Sequence, residues 1–433
     1  MLNIRASVCL AAAVSGLVSA LGAVVGMNPP ALSVSAERIA ALPQDQRVAW
    51  QAYLERSERQ MEVDRAFLRA ELVVAKLSQP IIPKEGHSAA SIPLEETAAW
   101  YGGSEARHIA DILLSFQTPA GGWSKNLDMG GHPRRPGESF AANNLSRFLA
   151  AGDFDEPRDR SWNYVGTFDN DATTTEIHFL AKVIAASAPE AGVAYKESFD
   201  RGLGYIFAAQ FPNGGWPQVW PLEGGYHDTI TYNDAAMIET VELLQAVAEG
   251  RDEFSFVRAD LRSRAAASVE RGLGCIAATQ IVENGRPAVW AQQHDALTLR
   301  PASGRNFEMP ALCGSESAQM LLFLMKLPRP SPSVVASIHA GAAWFKKNAI
   351  YGVAWRSSPN GRQLVKEAGG GPLWARYYEM GTDRPIFGDR DKTIHDDVNE
   401  LSKERRNGYQ WYGAKPREAL NAYELWARSH PLT

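Results

Sequence analysis

Three carboxylates and three threonines fall within nine positions, Phe168-Asp169-Asn170-Asp171-Ala172-Thr173-Thr174-Thr175-Glu176, which run straight into an apolar helical stretch. A Thr or Asp here can cap the helix, with Thr173 and Glu176 spaced as a capping box. Capping accounts for one or two of these residues, not six. The arrangement recurs at His227-Asp228-Thr229-Ile230-Thr231-Tyr232-Asn233-Asp234, again before an apolar helix. Two oxygen-rich helix starts at equivalent places can face each other, and such oxygens suit a hard cation such as calcium. Two independent caps are the competing explanation.

A third cluster reads Arg300-Pro301-Ala302-Ser303-Gly304-Arg305-Asn306-Phe307-Glu308, just after Gln292-Gln293-His294-Asp295. A fourth reads Arg384-Pro385-Ile386-Phe387-Gly388-Asp389-Arg390-Asp391, with Trp374, Arg376, Tyr377 and Tyr378 upstream and three more rings in NGYQWYG. Guanidinium forks bind carboxylates in bidentate fashion. Interleaved with rings that stack on pyranoses, they suit an anionic sugar polymer. The bland alternative is a set of solvated surface charges.

Something must carry these clusters to one place. QTPAGGW near 117, QFPNGGW near 210 and QIVENGRPAVW near 280 each follow an apolar run of helical period. After a polar crossing, each is followed by a second apolar run: TTTEIHFLAKVI, NDAAMIETVELL and SESAQMLLFLMKL. The chain therefore reads as helical hairpins in series with their Gly-Trp turns on one rim. Trp123, Trp216 and Trp290 are spaced too loosely for a short-period solenoid. The expected fold is mainly α, an (α/α) toroid-like domain of helical hairpins with long loops and a minor β region.

Helices are expected at 140–150, 174–187, 198–210, 234–249, 257–279, 315–326, 332–347 and 415–428, after a helix near 105–116. The long polar and aromatic segments 152–172, 212–233, 284–311 and 351–413 are candidates for functional loops. IYGVAWR and GPLWARYYE carry the main strand signals.

The first residues carry one arginine and then an uncharged Ala/Val/Leu-rich run, with Val34-Ser35-Ala36 as a cleavage site. This reads as a signal peptide over 1–36, and an uncleaved anchor is the alternative. Residues 37–94 read as a helical extension and linker, and 95–433 as the main domain. The expected location is secreted or periplasmic, with no membrane association after export and a monomeric state. Cys275 and Cys313 lie on apolar helical faces. A disulfide between them and two buried thiols are both compatible with export. A net charge of -5 predicts no nucleic-acid partner, but a local basic cleft can still take an acidic substrate. Twelve tryptophans and thirteen tyrosines agree with sugar binding, although a large core needs rings too.

GGWSKN at 121–126, DNDATTTEIHFLAKV at 169–183, AQFPNGGWPQ at 209–218, GGYHDTITYNDAAM at 224–237, WAQQHD at 290–295, RNFEMPALCGSES at 305–317 and LWARYYEMGTDRPIFGDRD at 373–391 together resemble the polysaccharide lyase family 10 pectate lyases. The resemblance covers roughly residues 95–430. It implies calcium-dependent β-elimination on de-esterified polygalacturonate, giving 4,5-unsaturated oligogalacturonides. In the family an arginine is the base, aspartates hold calcium in the complex, and basic groups grip substrate carboxylates. By position Arg305 takes the base role, with Arg300 as the competing assignment. Asp171 and Asp234 match the key aspartates, with Asp169 and Asp228 as rivals. Arg390 matches a carboxylate-binding arginine, and Lys125, Asn126 and Tyr377 are candidates to touch sugar. A polysaccharide hydrolase using a pair of these carboxylates and a non-catalytic pectin-binding protein are the alternatives.

Overall fold

The structure is a computed structural model that describes residues 23–87, 91–188 and 192–431. It is mainly α and toroid-like, with a small open β component. The helices are α1 Ala36–Ala40, α2 Gln44–Ala75, α3 Ala98–Tyr101, α4 Ser104–Phe116, α5 Thr174–Ala186, α6 Val193–Ala209, α7 Ala236–Glu249, α8 Ala259–Thr279, α9 Gly314–Lys326, α10 Pro332–Lys347, α11 Lys403–Gly408 and α12 Lys415–Trp426. The second apolar runs become α5, α7 and α9, which bury most of their residues. α4, α6, α8 and α10 precede or flank them, with α5 packed on α6, α7 on α8, and α9 on α10 and α12.

The three repeated turns share one hydrogen-bond pattern. In the first, Gln117 Nε2 donates to Gly121 O at 2.8 Å and reaches forward to Ser198 O on α6 at 2.9 Å. In the second, Gln210 Nε2 donates to Gly214 O at 2.9 Å and to Ser268 O on α8 at 3.0 Å. In the third, Gln280 Nε2 donates to Ala288 O at 3.0 Å and to Ser337 O on α10 at 3.1 Å. The tryptophan of each turn folds back, its Nε1 donating to Leu113 O, Ile206 O and Ile276 O respectively. All three indoles are buried. A buried amide and indole with satisfied donors make a turn of fixed shape. The Gly121 and Gly214 positions, at φ 105° and 95°, exclude a side chain.

Residues 140–150 form no helix. Asn143 and Ser146 instead accept from the backbone N–H groups of Leu145 and Phe148. Such local side-chain turns compete with the helical ladder. Cys275 and Cys313 are buried free thiols, so of the two readings the unpaired one holds.

The N-terminal part is built into the same body. Trp50 and Tyr53 of α2 pack on Phe211 at centroid distances of 5.3 and 5.1 Å. Val24–Met27 is the edge strand of a five-stranded antiparallel sheet, followed by Thr393–His395, Pro385–Gly388, Tyr377–Tyr378 and Leu312–Cys313. The expected signal peptide thus divides. Residues 1–22 lie outside the described residues, whereas 24–35 belong to the fold. Among the described residues no helix is long and apolar enough to cross a membrane.

Candidate active site

Neither α5 nor α7 has a side-chain cap, so two independent caps do not explain the polar clusters. Thr173, the expected capping residue, receives Trp123 N–H and donates to Thr167 O. Each helix is entered through the same tripeptide, Asn170-Asp171-Ala172 and Asn233-Asp234-Ala235. Asn170, Asp171, Thr173, Asp234 and Ala235 all have positive φ, between 49° and 69°. Non-glycine residues held there cost roughly 1–3 kcal/mol each, and such strain gathers at functional sites. The two short turns, Asp169–Asp171 and Asn233–Ala235, pack against each other.

Asp169 is buried between Lys125, whose Nζ forms a short ion pair with Oδ2, and Gln218, whose Nε2 donates to Oδ1 at 3.0 Å. Burial is the largest influence and opposes its charge, but Lys125, Arg305 and Gln218 together hold the carboxyl below its ordinary range. Lys125 also lies 3.5 Å above the centre of the Tyr164 ring. Asp234 is open to solvent but sits in a cleft. Burial, then the charges of Asp169 and Glu316, push its carboxyl up to about 6. Asn233 Nδ2 donates to it at 2.6 Å. Asp171, exposed at the lip, turns toward Glu239. Burial, and then the charge and hydrogen bond of Asp171, push Glu239 up to about 8.

Arg305 enters from the loop before α9. It feels the same charges: its guanidinium helps lower Asp169 and restrains the rise at Asp234. Glu308, 4% exposed, holds it with hydrogen bonds from Nε at 3.1 Å and Nη2 at 2.5 Å. Burial would depress the guanidinium, but Glu308 overrides it and raises Arg305 well above its ordinary value. From Glu308 a hydrogen-bonded chain runs through Tyr409 OH at 2.8 Å and Tyr377 OH to Gln292, Arg376 and Glu316. It ends beside Asp234 at a cavity of about 250 Å³ lined also by Gln410 and Lys415.

The expected site residues thus fall into groups. Asp169, Asp234, Lys125 and Arg305 share one electrostatic neighbourhood, with Asp171 at its lip. Asn126, at φ 61°, is half-buried beside Lys125, and its Nδ2 donates to Asn144. Arg390 is tied to this group through Phe307, whose ring lies beneath the guanidinium groups of Arg305, Arg390 and Arg405 at 4.9, 5.5 and 4.1 Å. Glu404 holds Arg390 in bidentate fashion at 2.8 and 3.1 Å. Asp228 is placed differently. It is 2% exposed, and its oxygens accept Gly224 N–H and Val34 N–H. Tyr377 is fully buried in the network, so its ring is covered by protein. Arg300 is exposed, and its backbone N–H contacts Thr298 while its carbonyl receives Asp295 N–H.

Sequence reasoning named Glu308 and Arg376 without giving them a role, and missed Glu239 and Glu316. A signal was present: α5, α7 and α9 each carry a glutamate in the first turn, Glu176, Glu239 and Glu316.

Among the described residues no three His, Cys, Asp or Glu side chains converge to hold a metal ion. Asp169 and Asp234 supply oxygens of the class a hard cation takes, but Lys125 and Gln218 already engage Asp169. A hard cation held here would draw at most a partial shell from these side chains and the rest from a ligand's oxygens.

Residues 116–420 match the pectic acid lyase family. A family 10 polysaccharide lyase from Cellvibrio cellulosa is 30% identical, with a TM-score of 0.63 over 82% of this chain and 100% of that one. A point mutant of a family 10 lyase from the same organism, in complex with trigalacturonic acid, is 29% identical, with a TM-score of 0.62 over 79% and 98%. No curated protein sequence matches the chain.

Proposed function

The chain belongs to the pectic acid lyase family, polysaccharide lyase family 10, and on that premise we propose that it is a pectate lyase. It would cleave de-esterified α-1,4-linked polygalacturonate by calcium-dependent β-elimination, leaving a 4,5-unsaturated uronide at the new non-reducing end. The observation that carries this reading is the Lys125–Asp169 ion pair lying within electrostatic reach of Asp234 and Arg305.

Asp234 and Asp169, with Asp171 at the lip, are the residues that would hold calcium. A calcium ion held by these carboxylates would supply Lewis-acid neutralisation of the charge that builds as C5 loses its proton. Lys125 keeps Asp169 ionised for that role. Arg305 takes the C5 proton, the C4–O4 bond breaks, and the departing O4 takes a proton from water. Glu308 aims the guanidinium but also holds it charged. The neutral fraction able to accept a proton is therefore small and grows tenfold for each unit of rising pH. Arg390, aimed by Glu404, grips a neighbouring uronate carboxylate. Tyr377 and Tyr409 support Glu308 from behind. Export to the periplasm or beyond, and action as a monomer, belong to the same proposal.

A polysaccharide hydrolase is the second reading. Asp234, pushed up to about 6, beside an ionised Asp169 has the split that an acid and base pair needs. The products decide between them. Polygalacturonate treated with enzyme and calcium should gain the ultraviolet absorbance of a conjugated unsaturated uronide, and faster than highly methylated pectin. New reducing ends without that absorbance mean hydrolysis. Calcium-dependent retention on polygalacturonate without chain shortening means a binding protein.

A further inference from the structure

The segment between Val24 and Val34 lies outside every catalytic motif, yet it touches the loops that carry both arginines. Val24–Met27 extends the hairpin whose turn bears Arg390, pairing Gly26 with Ile394 and Met27 with Thr393. Asn28 then donates its backbone N–H to Lys392 O at 2.8 Å. Its side chain turns the other way. Nδ2 donates to Arg305 O at 3.1 Å and Asn306 O at 3.0 Å, and Oδ1 receives Ser303 Oγ at 2.8 Å. Asn28 is 4% exposed. One buried residue thus satisfies two successive carbonyls of the Arg305 loop and anchors to the Arg390 loop. Asn306 closes the circuit, its Nδ2 donating to Arg390 O at 2.7 Å.

We infer that Val24–Pro29 is a strap completing the active site, and that Asn28 is a positioning residue setting the Arg305 loop against the Arg390 loop. Only an amide of this length donates to two carbonyls while accepting from a hydroxyl. Alanine takes the side-chain donor from Asn306 O and one of two donors from Arg305 O, which keeps only Glu308 N–H, and leaves Ser303 Oγ held by Pro29 O alone. Aspartate of the same shape turns a carboxylate toward the same carbonyls. Farther along, Ser33 Oγ receives Gly225 N–H and Arg158 Nη2 at 2.7 and 3.0 Å. Ser33 therefore lies beyond the strap and has no bond to either arginine loop, which makes it the matched control.

The catalytic arm of the test rests on the lyase reading; the dynamic arm does not. Full-length Asn28→Ala, Asn28→Asp and Ser33→Ala are compared with the parent by hydrogen exchange of peptides covering 301–310, without substrate or metal. Asn28→Ala is expected to speed exchange there, and Ser33→Ala to leave it unchanged. In turnover of polygalacturonate, kcat of Asn28→Ala is expected to fall roughly 10- to 100-fold, with KM moving much less. Asn28→Asp should lose at least as much, and Ser33→Ala should keep kcat. Unchanged exchange in Asn28→Ala overturns the inference, as does faster exchange with an unaltered kcat. A parent enzyme that yields no unsaturated product defeats the lyase reading instead, and the exchange arm still decides whether Asn28 pins the loop.

Discussion

Glu308 grips Arg305 from two sides, accepting its backbone N–H at 2.8 Å and its guanidinium Nε at 3.1 Å on Oε2, and Nη2 at 2.5 Å on Oε1. The carboxylate therefore fixes both where the guanidinium points and how tightly it keeps its proton. These effects oppose each other if Arg305 is the base. Aim helps catalysis, and retention of the proton hinders it.

Glu308→Gln separates them. The amide keeps one acceptor and the contact with Tyr409 but loses the negative charge that raises Arg305. The pH–rate profile of kcat is expected to move to lower pH, while maximal kcat falls through poorer aim. An unmoved profile with a normal maximum would remove Arg305 from the proton transfer and favour Arg300.

Calcium and substrate are expected to bind together. With Asp169 and Asp234, and Asp171 at the lip, giving only part of a shell, metal alone is expected to bind weakly and a trigalacturonate carboxylate to complete the shell. Calorimetry should show calcium affinity rising when trigalacturonate is present. Asp234→Asn should raise the calcium needed for half-maximal activity at least tenfold. Full turnover after exhaustive chelation would end the calcium role.

Stability should fall as pH rises through neutrality toward 8. Burial pushes the carboxyls of Glu176, Glu223 and Glu239 up to about 8, and that of Asp64 to about 7. These groups bind protons in the folded chain that the unfolded chain releases above its ordinary carboxyl range, so the stabilisation they give is lost progressively from the ordinary carboxyl range up to about pH 8 and the slope flattens above that. His227 and His294, depressed to about 3 and 4, act in the opposite direction but only below pH 6.5. Thermal melts across pH 6.5 to 8, above the range of the two histidines, should show a falling Tm that levels off beyond pH 8, and Glu223→Gln should flatten the slope. A Tm independent of pH in that window would contradict the buried carboxyl assignments.

Gln210→Ala should be costly far from the chemistry. Its amide satisfies Gly214 O and Ser268 O and receives Ser268 Oγ at 2.6 Å, together with Arg271. Stranding these partners and leaving a void costs roughly 2–4 kcal/mol. Denaturant unfolding measures it, and a loss below about 1 kcal/mol would show that water replaces the amide.

What the sequence disclosed followed periodicity and local spacing. The Gln-to-Trp turns and α5 to α10 were legible because each rests on neighbours a few residues away. Asp169 and Asp234 were legible as oxygen-rich helix starts. Asp228, from the same motif, was not separable from them, because its partner Val34 lies 194 residues away. Tyr377 looked like a sugar platform, but burial by Tyr409 and Trp411 is tertiary. The strap was hidden for a related reason: an Ala- and Val-rich start followed by small residues reads as an export signal, and nothing local marks Asn28 as a partner of Arg305. Cleavage at Val34-Ser35-Ala36 would remove the strap, so N-terminal sequencing of exported protein is expected to place the cut before Val24.

The forward reach of the glutamine clasps has a consequence for how the chain comes apart. Gln117 needs α6, Gln210 needs α8 and Gln280 needs α10. None of these three turns is closed by its own atoms alone, because each amide also borrows a carbonyl from a later helix. Modularity of sequence therefore does not become modularity of folding. A fragment ending at any hairpin boundary leaves a buried amide unmet, and the array is expected to lose structure in a single concerted transition rather than unit by unit.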